Sequence, residues 1–285
     1  MRYNQHHQHL PLHRISGYVL LCLLLAVPCQ GSLGRHRRRT QTANAPDDNE
    51  LNIHECGQVI ATVPTQELRD MLDDLVVNDL DLSVPELLLV QAGILPEVDY
   101  GVQVIKVCGK CSDYAGLYKG VCEPDDYAFD STHSGLLLLP LVRDTTRLVR
   151  GTRPLTILSH GTTPSNMRVP SNLWNVSDPD GLVLFGTLFT GMTGCVSLLP
   201  DFTGYGESRV DAFRAYVVRK AYVTGTLPLI WESEALVANI SDCKTAVADD
   251  IVVVGYSEGK FVARAFRTLS MQYKYKMDAC IRIPP

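Results

Sequence analysis

The sequence predicts an α/β fold, a sheet whose strands alternate with helices through right-handed crossovers. Three observations support it. Short apolar runs rich in branched residues recur at Val102 to Val107, Leu136 to Leu139, Thr156 to Ser159, Val196 to Leu199 and Ile251 to Val254. Stretches with apolar residues three and four apart lie before, between and after them, the spacing of a helix with one buried face. The chain has 285 residues, 46% hydrophobic and 20% charged, with 21 Gly and 16 Pro. That composition suits a globular body with a real core and argues against extensive disorder.

The N-terminus reads separately. Residues 1–17 are polar, His-rich and basic, Tyr18 to Val27 is an uninterrupted apolar run, and small residues follow around Gly31. This is the pattern of a signal peptide over residues 1–31. Ten residues rising about 1.5 Å each cover about half of a ~30 Å hydrocarbon layer, so no stable membrane span is expected. The His6, His7 and His9 cluster falls in the part to be removed. Arg35-His36-Arg37-Arg38-Arg39 suits either a processing site or a solvated basic arm. Residues 32–60 are therefore a basic and polar lead-in or propeptide, and 61–285 the folded domain.

Charge narrows the partners. The formal net charge is −5, yet residues 1–39 contribute Arg2, Arg14, Arg35, Arg37, Arg38 and Arg39 with no Asp or Glu. The body is thus more acidic than the whole chain. Phosphate contacts need a clustered basic face, so nucleic acid is excluded as a partner.

Within the body, Thr65 opens a helix with Leu68, Met71, Leu72 and Leu75 on one face. Residues 79–97 are apolar but broken by Pro85, Gly93 and Pro96, as in a short helix or loop. The strand Val102 to Val107 leads into a cysteine-bearing loop, 108–133, and Leu136 to Leu139 is a strand closed by Pro140. Thr156 to Ser159 ends at His160-Gly161-Thr162-Thr163. Val196 to Leu199 runs into Pro200-Asp201-Phe202-Thr203-Gly204-Tyr205-Gly206-Glu207-Ser208. Helical stretches are expected around 212–223 and 229–240. Ile251 to Val254 is purely β-branched, as in a parallel strand buried on both faces.

Of nine cysteines, Cys22 and Cys29 lie in the signal region. The other seven are Cys56, Cys108, Cys111, Cys122, Cys195, Cys243 and Cys280, which read as disulfides plus an odd thiol in an oxidising compartment. Cys108, Cys111 and Cys122 crowd one loop, with Cys56 a candidate partner. Their C-x-x-C also admits zinc, but no fourth ligand stands at finger-like spacing and His133 is the nearest histidine, so no metal is assigned. Asn175-Val176-Ser177 and Asn239-Ile240-Ser241 are candidate glycosylation sites.

Directly after the fifth strand stands Gly255-Tyr256-Ser257-Glu258-Gly259, a G-x-S-x-G. A serine on a sharp strand-to-helix turn needs neighbours without bulk, because the turn is strained and packs closely. The helix that must follow is present as the stripe Phe261, Val262, Ala265, Phe266 and Leu269. Its N-terminus brings backbone N–H groups to where negative charge develops on a reacting carbonyl oxygen.

Four segments in order, Ser134-Gly135 to Pro140, His160-Gly161-Thr162, Pro200 to Ser208 and Gly255 to Gly259, resemble the secretory lipase and esterase branch of the α/β-hydrolase superfamily. That branch shows SGxxxxP, HGT, PDYxGxGxS and GYSxGG. The resemblance covers roughly residues 100–285. It implies an α/β-hydrolase sheet with flanking helices, Ser257 as nucleophile, and an oxyanion hole from the backbone N–H groups of Glu258 and Thr162. It makes Gly255, Gly259, His160 and Gly161 supporting residues, and gives Asp201 a structural task tying loops together. The substrate it implies is a small-molecule or lipid ester, with no cofactor.

Two departures stand out. Lys260 replaces the second glycine, where it either crowds the helix against the strand or points outward. No histidine follows Ser257, although the hydrolase order is Ser, then acid, then His. Ala279 to Ile283 with Pro284-Pro285 looks like the strand after the nucleophile helix, so the expectation is a fragment lacking the acid and base. Alternatives are a non-catalytic secreted binding protein on a decayed scaffold, or a secreted serine peptidase of the same fold.

Overall fold

The computed structural model describes residues 54–74, 97–114, 129–163, 165, 167–172, 181–209, 218–255 and 257–270, together with Cys122, Pro124, Arg214 and Tyr216. The expectations for the signal peptide, residues 79–96, Asn175, Cys280 and the strand after the nucleophile helix fall outside these residues. The chain divides into two compact units, residues 1–45 with 69–98 and residues 46–68 with 99–285. In the first, the Arg69 guanidinium donates from Nε and Nη2 to the Val98 carbonyl at 3.1 and 2.9 Å.

The second unit holds one mixed six-stranded sheet among the described residues, in the order β1-β2-β3-β5-β4-β6. The strands are β1 (Val59–Val63), β2 (Gly101–Gly109), β3 (His133–Leu141), β4 (Gly151–Ser159), β5 (Val196–Pro200) and β6 (Thr245–Gly255). From β1 to β5 the neighbours are antiparallel, whereas β4 runs parallel to both β5 and β6. The helices are α1 (Thr65–Asp74), α2 (Gly181–Thr193), α3 (Arg219–Ile240) and α4 (Glu258–Ser270).

Strand residues alternate between two covered faces. Ile105, Val107, Leu137, Leu139, Ile157 and Leu198 join the core with Tyr222, Leu229 and Trp231 of α3 and Val262, Ala265 and Phe266 of α4. Among the intervening positions, Leu138, Leu158 and Leu199 face α2. A Cβ on Gly186 of that helix would stand 3.1 Å from the side chains of Leu138, Leu158 and Leu199. Period-two alternation thus serves a sheet with helices on both faces. Each such buried aliphatic side chain is worth about 1.5–3 kcal/mol.

Several elements differ from the sequence expectation. Pro140 does not close β3, which continues to Leu141. Its carbonyl accepts from the Val149 N–H at 3.0 Å. In a strand a residue's N and C=O point to the same side, so the missing N–H faces that short bridge and not the β2 ladder. Pro154 likewise sits inside β4, at a register shift between Arg153 and Leu155 where pairing is already interrupted. The stretches 212–223 and 229–240 are not two helices: from Arg219 to Ile240 one helix runs through Pro228. The helix α2 carries apolar residues nearly all round and therefore shows no stripe to read. Finally, Ile251 and Val252 are 41% and 51% exposed, not buried on both faces. Among the described residues β6 is the last strand of the sheet, with β4 as its single neighbour.

Two disulfides, Cys56–Cys108 and Cys111–Cys122, join the cysteines expected to pair. They span 52 and 11 residues of sequence, which in the chain-entropy picture stabilises the fold by about 4 and about 3 kcal/mol. Cys195 and Cys243 are free thiols.

Candidate active site

Ser257 follows the C-terminal end of β6. There Gly255 stands opposite Ser159, the last residue of the parallel strand β4. The Gly-x-Ser turn and the His160-Gly161-Thr162 segment therefore leave the same edge of the sheet side by side. From β4 the chain passes over one face through α2 to β5, then back through α3 to β6 on the far side of β4. The reversal makes the β4–β6 boundary a topological switch point, where open α/β sheets leave a crevice outside the strand ends.

The turn is strained. Ser257 has φ +52°, the left-handed region that residues with a Cβ rarely occupy. Its side chain is exposed, and among the described residues its hydroxyl has no hydrogen-bond partner. The flanking glycines are demanded by space. A Cβ on Gly255 would come 2.5 Å from the carbonyl carbon of Gly259, and one on Gly259 would overlap the Ser159 carbonyl oxygen. Helix α4 and β4 therefore touch backbone to backbone, with Ser257 held just before the first turn of α4. The first N–H groups of a helix lack intrahelical partners and carry the positive end of its dipole. Lys260 is exposed and its N–H donates to the Ser257 carbonyl at 3.1 Å, so its bulk does not crowd the packing.

Glu258 is buried. Its carboxylate accepts from the Tyr222 hydroxyl at 2.5 Å and from Arg214 Nη2 at 3.3 Å. On the neighbouring segment Gly161 is buried and Thr162 exposed. The buried His160 ring stacks on Phe202 with centroids 4.1 Å apart. Its Nδ1 lies 2.6 Å from the Gly161 carbonyl and its Nε2 3.4 Å from that of Asp201. An Nδ1–H donating to Gly161 is the tautomer these distances favour, and the ring is committed to shaping its own loop.

Asp201, fully buried at the end of β5, gathers three segments. Its carboxylate accepts from the hydroxyls of Ser134 (2.6 Å) and Ser171 (2.5 Å) and from the Ser171 N–H (3.0 Å). Burial pushes its carboxyl above the usual carboxylate range, and the two serines oppose that rise. Gly206, at φ +53°, lies against this group, and a Cβ there would overlap Ser134 Oγ and Asp201 Oδ2. Beside it, Lys106 is buried in β2 with its ammonium on Glu207 at 2.5 Å and on the His54 carbonyl at 2.9 Å. Sequence reading missed this pair, because its members stand 101 residues apart.

The remaining candidates are dispersed. Asn239 is exposed near the end of α3, and the disulfides lie on the β2 side of the sheet. No group of His, Cys, Asp and Glu among the described residues could hold a metal ion, and no described helix is long and apolar enough to cross a membrane.

No family model matches the chain, and no curated protein matches it. Solved structures do. A Legionella pneumophila protein carrying a provisional hydrolase assignment superposes with a TM-score of 0.52 at 19% identity, covering 76% of this chain and 47% of that one. The rice cell wall degrading esterase LipA from Xanthomonas oryzae superposes with a TM-score of 0.52 at 15% identity, covering 77% and 46%. A point mutant of the same esterase gives 0.53 at 17%, covering 80% and 47%. At these identities the likeness shows the fold: an α/β-hydrolase-like sheet with flanking helices. The chain spans about half the length of the structures it matches.

Proposed function

We propose that this chain carries the nucleophile and oxyanion hole of a secreted serine hydrolase acting on carboxylic esters of small molecules or lipids. The observation that carries the reading is Ser257 at φ +52°, exposed, between two glycines whose Cα atoms leave no room for a side chain. A strained, solvent-facing serine at the head of a helix is the geometry a nucleophile elbow requires. Ser257 Oγ attacks the ester carbonyl. The N–H groups of Glu258 and Thr162 receive the negative charge on its oxygen, the alcohol leaves, and water hydrolyses the acyl-enzyme. Gly255 and Gly259 permit the turn, while His160, Gly161 and Asp201 hold the oxyanion segment and its neighbours.

Residues 1–285 contain no histidine beyond Ser257, and the His160 ring is engaged with backbone carbonyls. Expressed by itself, this stretch should therefore turn over esters slowly, oxyanion donors and binding alone giving about 10³–10⁴-fold over water. The two disulfides support an oxidising compartment. Secretion then calls for cleavage near Gly31, and mass spectrometry of the mature N-terminus checks it.

The decisive experiment is fluorophosphonate labelling of the full-length protein beside hydrolysis of p-nitrophenyl esters. Label should map to Ser257 and vanish in Ser257→Ala together with turnover. Hydrolysis that survives Ser257→Ala, or that is abolished by His160→Ala with Ser257 unlabelled, overturns the reading.

A further inference from the structure

We infer that Arg214 and the Glu258 carboxylate are positioning residues that hold the two oxyanion donors in mutual register, an inference that rests on the Ser257 reading. The Arg214 guanidinium occupies a junction. Its Nη2 donates to Glu258 Oε2 at 3.3 Å, and its carbon stands 5.0 Å from the centre of the Tyr205 ring and 5.1 Å from that of Tyr216. The Tyr205 hydroxyl in turn donates to the Thr163 carbonyl at 3.3 Å. One cation thus touches the residue after the nucleophile directly, and through one aromatic ring it reaches the residue after Thr162.

The chemistry of each member suits this task. The Glu258 side chain is 1% exposed, and a carboxylate so buried needs a charged or hydrogen-bonding partner. Tyr222 and Arg214 supply both, from α3 and from the loop before it. Burial, with Glu258 nearby, pushes the Tyr205 phenol up to about 12, so it stays a donor throughout the working range. A planar guanidinium can lie on a ring and donate in its own plane together, which an ammonium cannot. Among the described residues nothing in the network bonds the Ser257 hydroxyl, which leaves that group for substrate. The network fixes the frame around the reacting atoms and touches none of them.

The test compares Arg214→Ala, Arg214→Lys, Glu258→Gln and the Arg214→Ala/Glu258→Gln double variant in the full-length protein. The measurements are kcat and KM for p-nitrophenyl butyrate, inhibition by a trifluoromethyl ketone, and amide hydrogen exchange in peptides covering 160–165 and 255–262. Arg214→Ala should lower kcat about 10–100-fold with KM changed less than about twofold. Ketone affinity should fall by a similar factor, and exchange should quicken in both peptides. Arg214→Lys should recover part of the loss, and the double variant should be no worse than Arg214→Ala, because the unpaired carboxylate is gone. A raised KM with kcat intact, or faster exchange confined to residues 210–218, overturns the inference. If Arg214→Ala does not fold, Arg214→Lys and Glu258→Gln decide it by the same readouts. If Ser257→Ala leaves hydrolysis intact, the nucleophile reading falls, and exchange in the two peptides still decides whether the clamp exists.

Discussion

Two turns at the C-terminal edge of the sheet invite comparison. Each puts a residue with a Cβ into the left-handed region: Phe202 at φ +67° two residues past the end of β5, and Ser257 at φ +52° two residues past the end of β6. Such a conformation costs about 1–3 kcal/mol, so each must be held by its surroundings. At Phe202 the holding group is the strained side chain itself. It is 2% exposed, stacked on His160 at 4.1 Å and edge-on to Tyr222 at 5.1 Å. At Ser257 the holding groups are all neighbours: Gly255, Gly259, and Glu258 clamped by Tyr222 and Arg214. The serine points to solvent. Strain by itself therefore does not mark a site in this fold. Asp144, Asp242 and Cys243 are also left-handed and exposed, so it is the close-packed glycines on either side, Gly255 and Gly259, that set the Ser257 turn apart.

The largest effect that sharpens this contrast is at Phe202. Phe202→Gly relieves the strain but removes a buried ring, so chemical denaturation should show a loss of about 3 kcal/mol. A gain there would mean that the packing does not hold the turn. Gly259→Ala comes next. Its methyl group would overlap the Ser159 carbonyl, and a cost of about 1–3 kcal/mol is expected, with Ser257 labelling lost as the turn shifts. Wild-type stability with full labelling would show that helix and strand do not meet backbone to backbone at Ser159.

Ser257→Gly should do the opposite of Phe202→Gly. No contact is lost and the left-handed penalty disappears, so the denaturation midpoint should rise by the equivalent of about 1 kcal/mol with unchanged slope. A fall would mean that the hydroxyl has a structural partner.

The smallest expected effect is a pH slope at Asp201. Its carboxyl titrates above its unfolded value because of burial. The native state therefore binds that proton more readily than the unfolded chain. Its contribution is full below the unfolded value of about 3.9 and declines as pH rises through the native one. Asp201→Asn should flatten that part of the stability profile, above about pH 4. An unchanged slope would show that the serines outweigh burial and keep the carboxylate charged.

What the sequence by itself determines here is local. A β-branched strand, a turn flanked by glycines and an amphipathic helix are contiguous from Ile251 to Ser270, and each follows from spacing and side-chain size. The same holds for the strands at β2, β3, β4 and β5, and for the choice of Cys56, Cys108, Cys111 and Cys122 as the pairing set. What only the tertiary structure decides is whatever depends on a neighbour far away in sequence. Helix α2 has no readable stripe because it is apolar nearly all round, and α3 runs unbroken through Pro228 because burial along the sheet outweighs one missing N–H. The exposure of Ile251 and Val252 depends on which strands flank β6, which branching at Cβ cannot report. Asp201 meets Ser171 and Ser134 across 30 and 67 residues, and Arg214 meets Glu258 across 44. Local pattern records the conformational preference of each segment. A buried charge takes its partner from the packing of whole elements, and that packing is settled only when the sheet brings its strand ends to one edge.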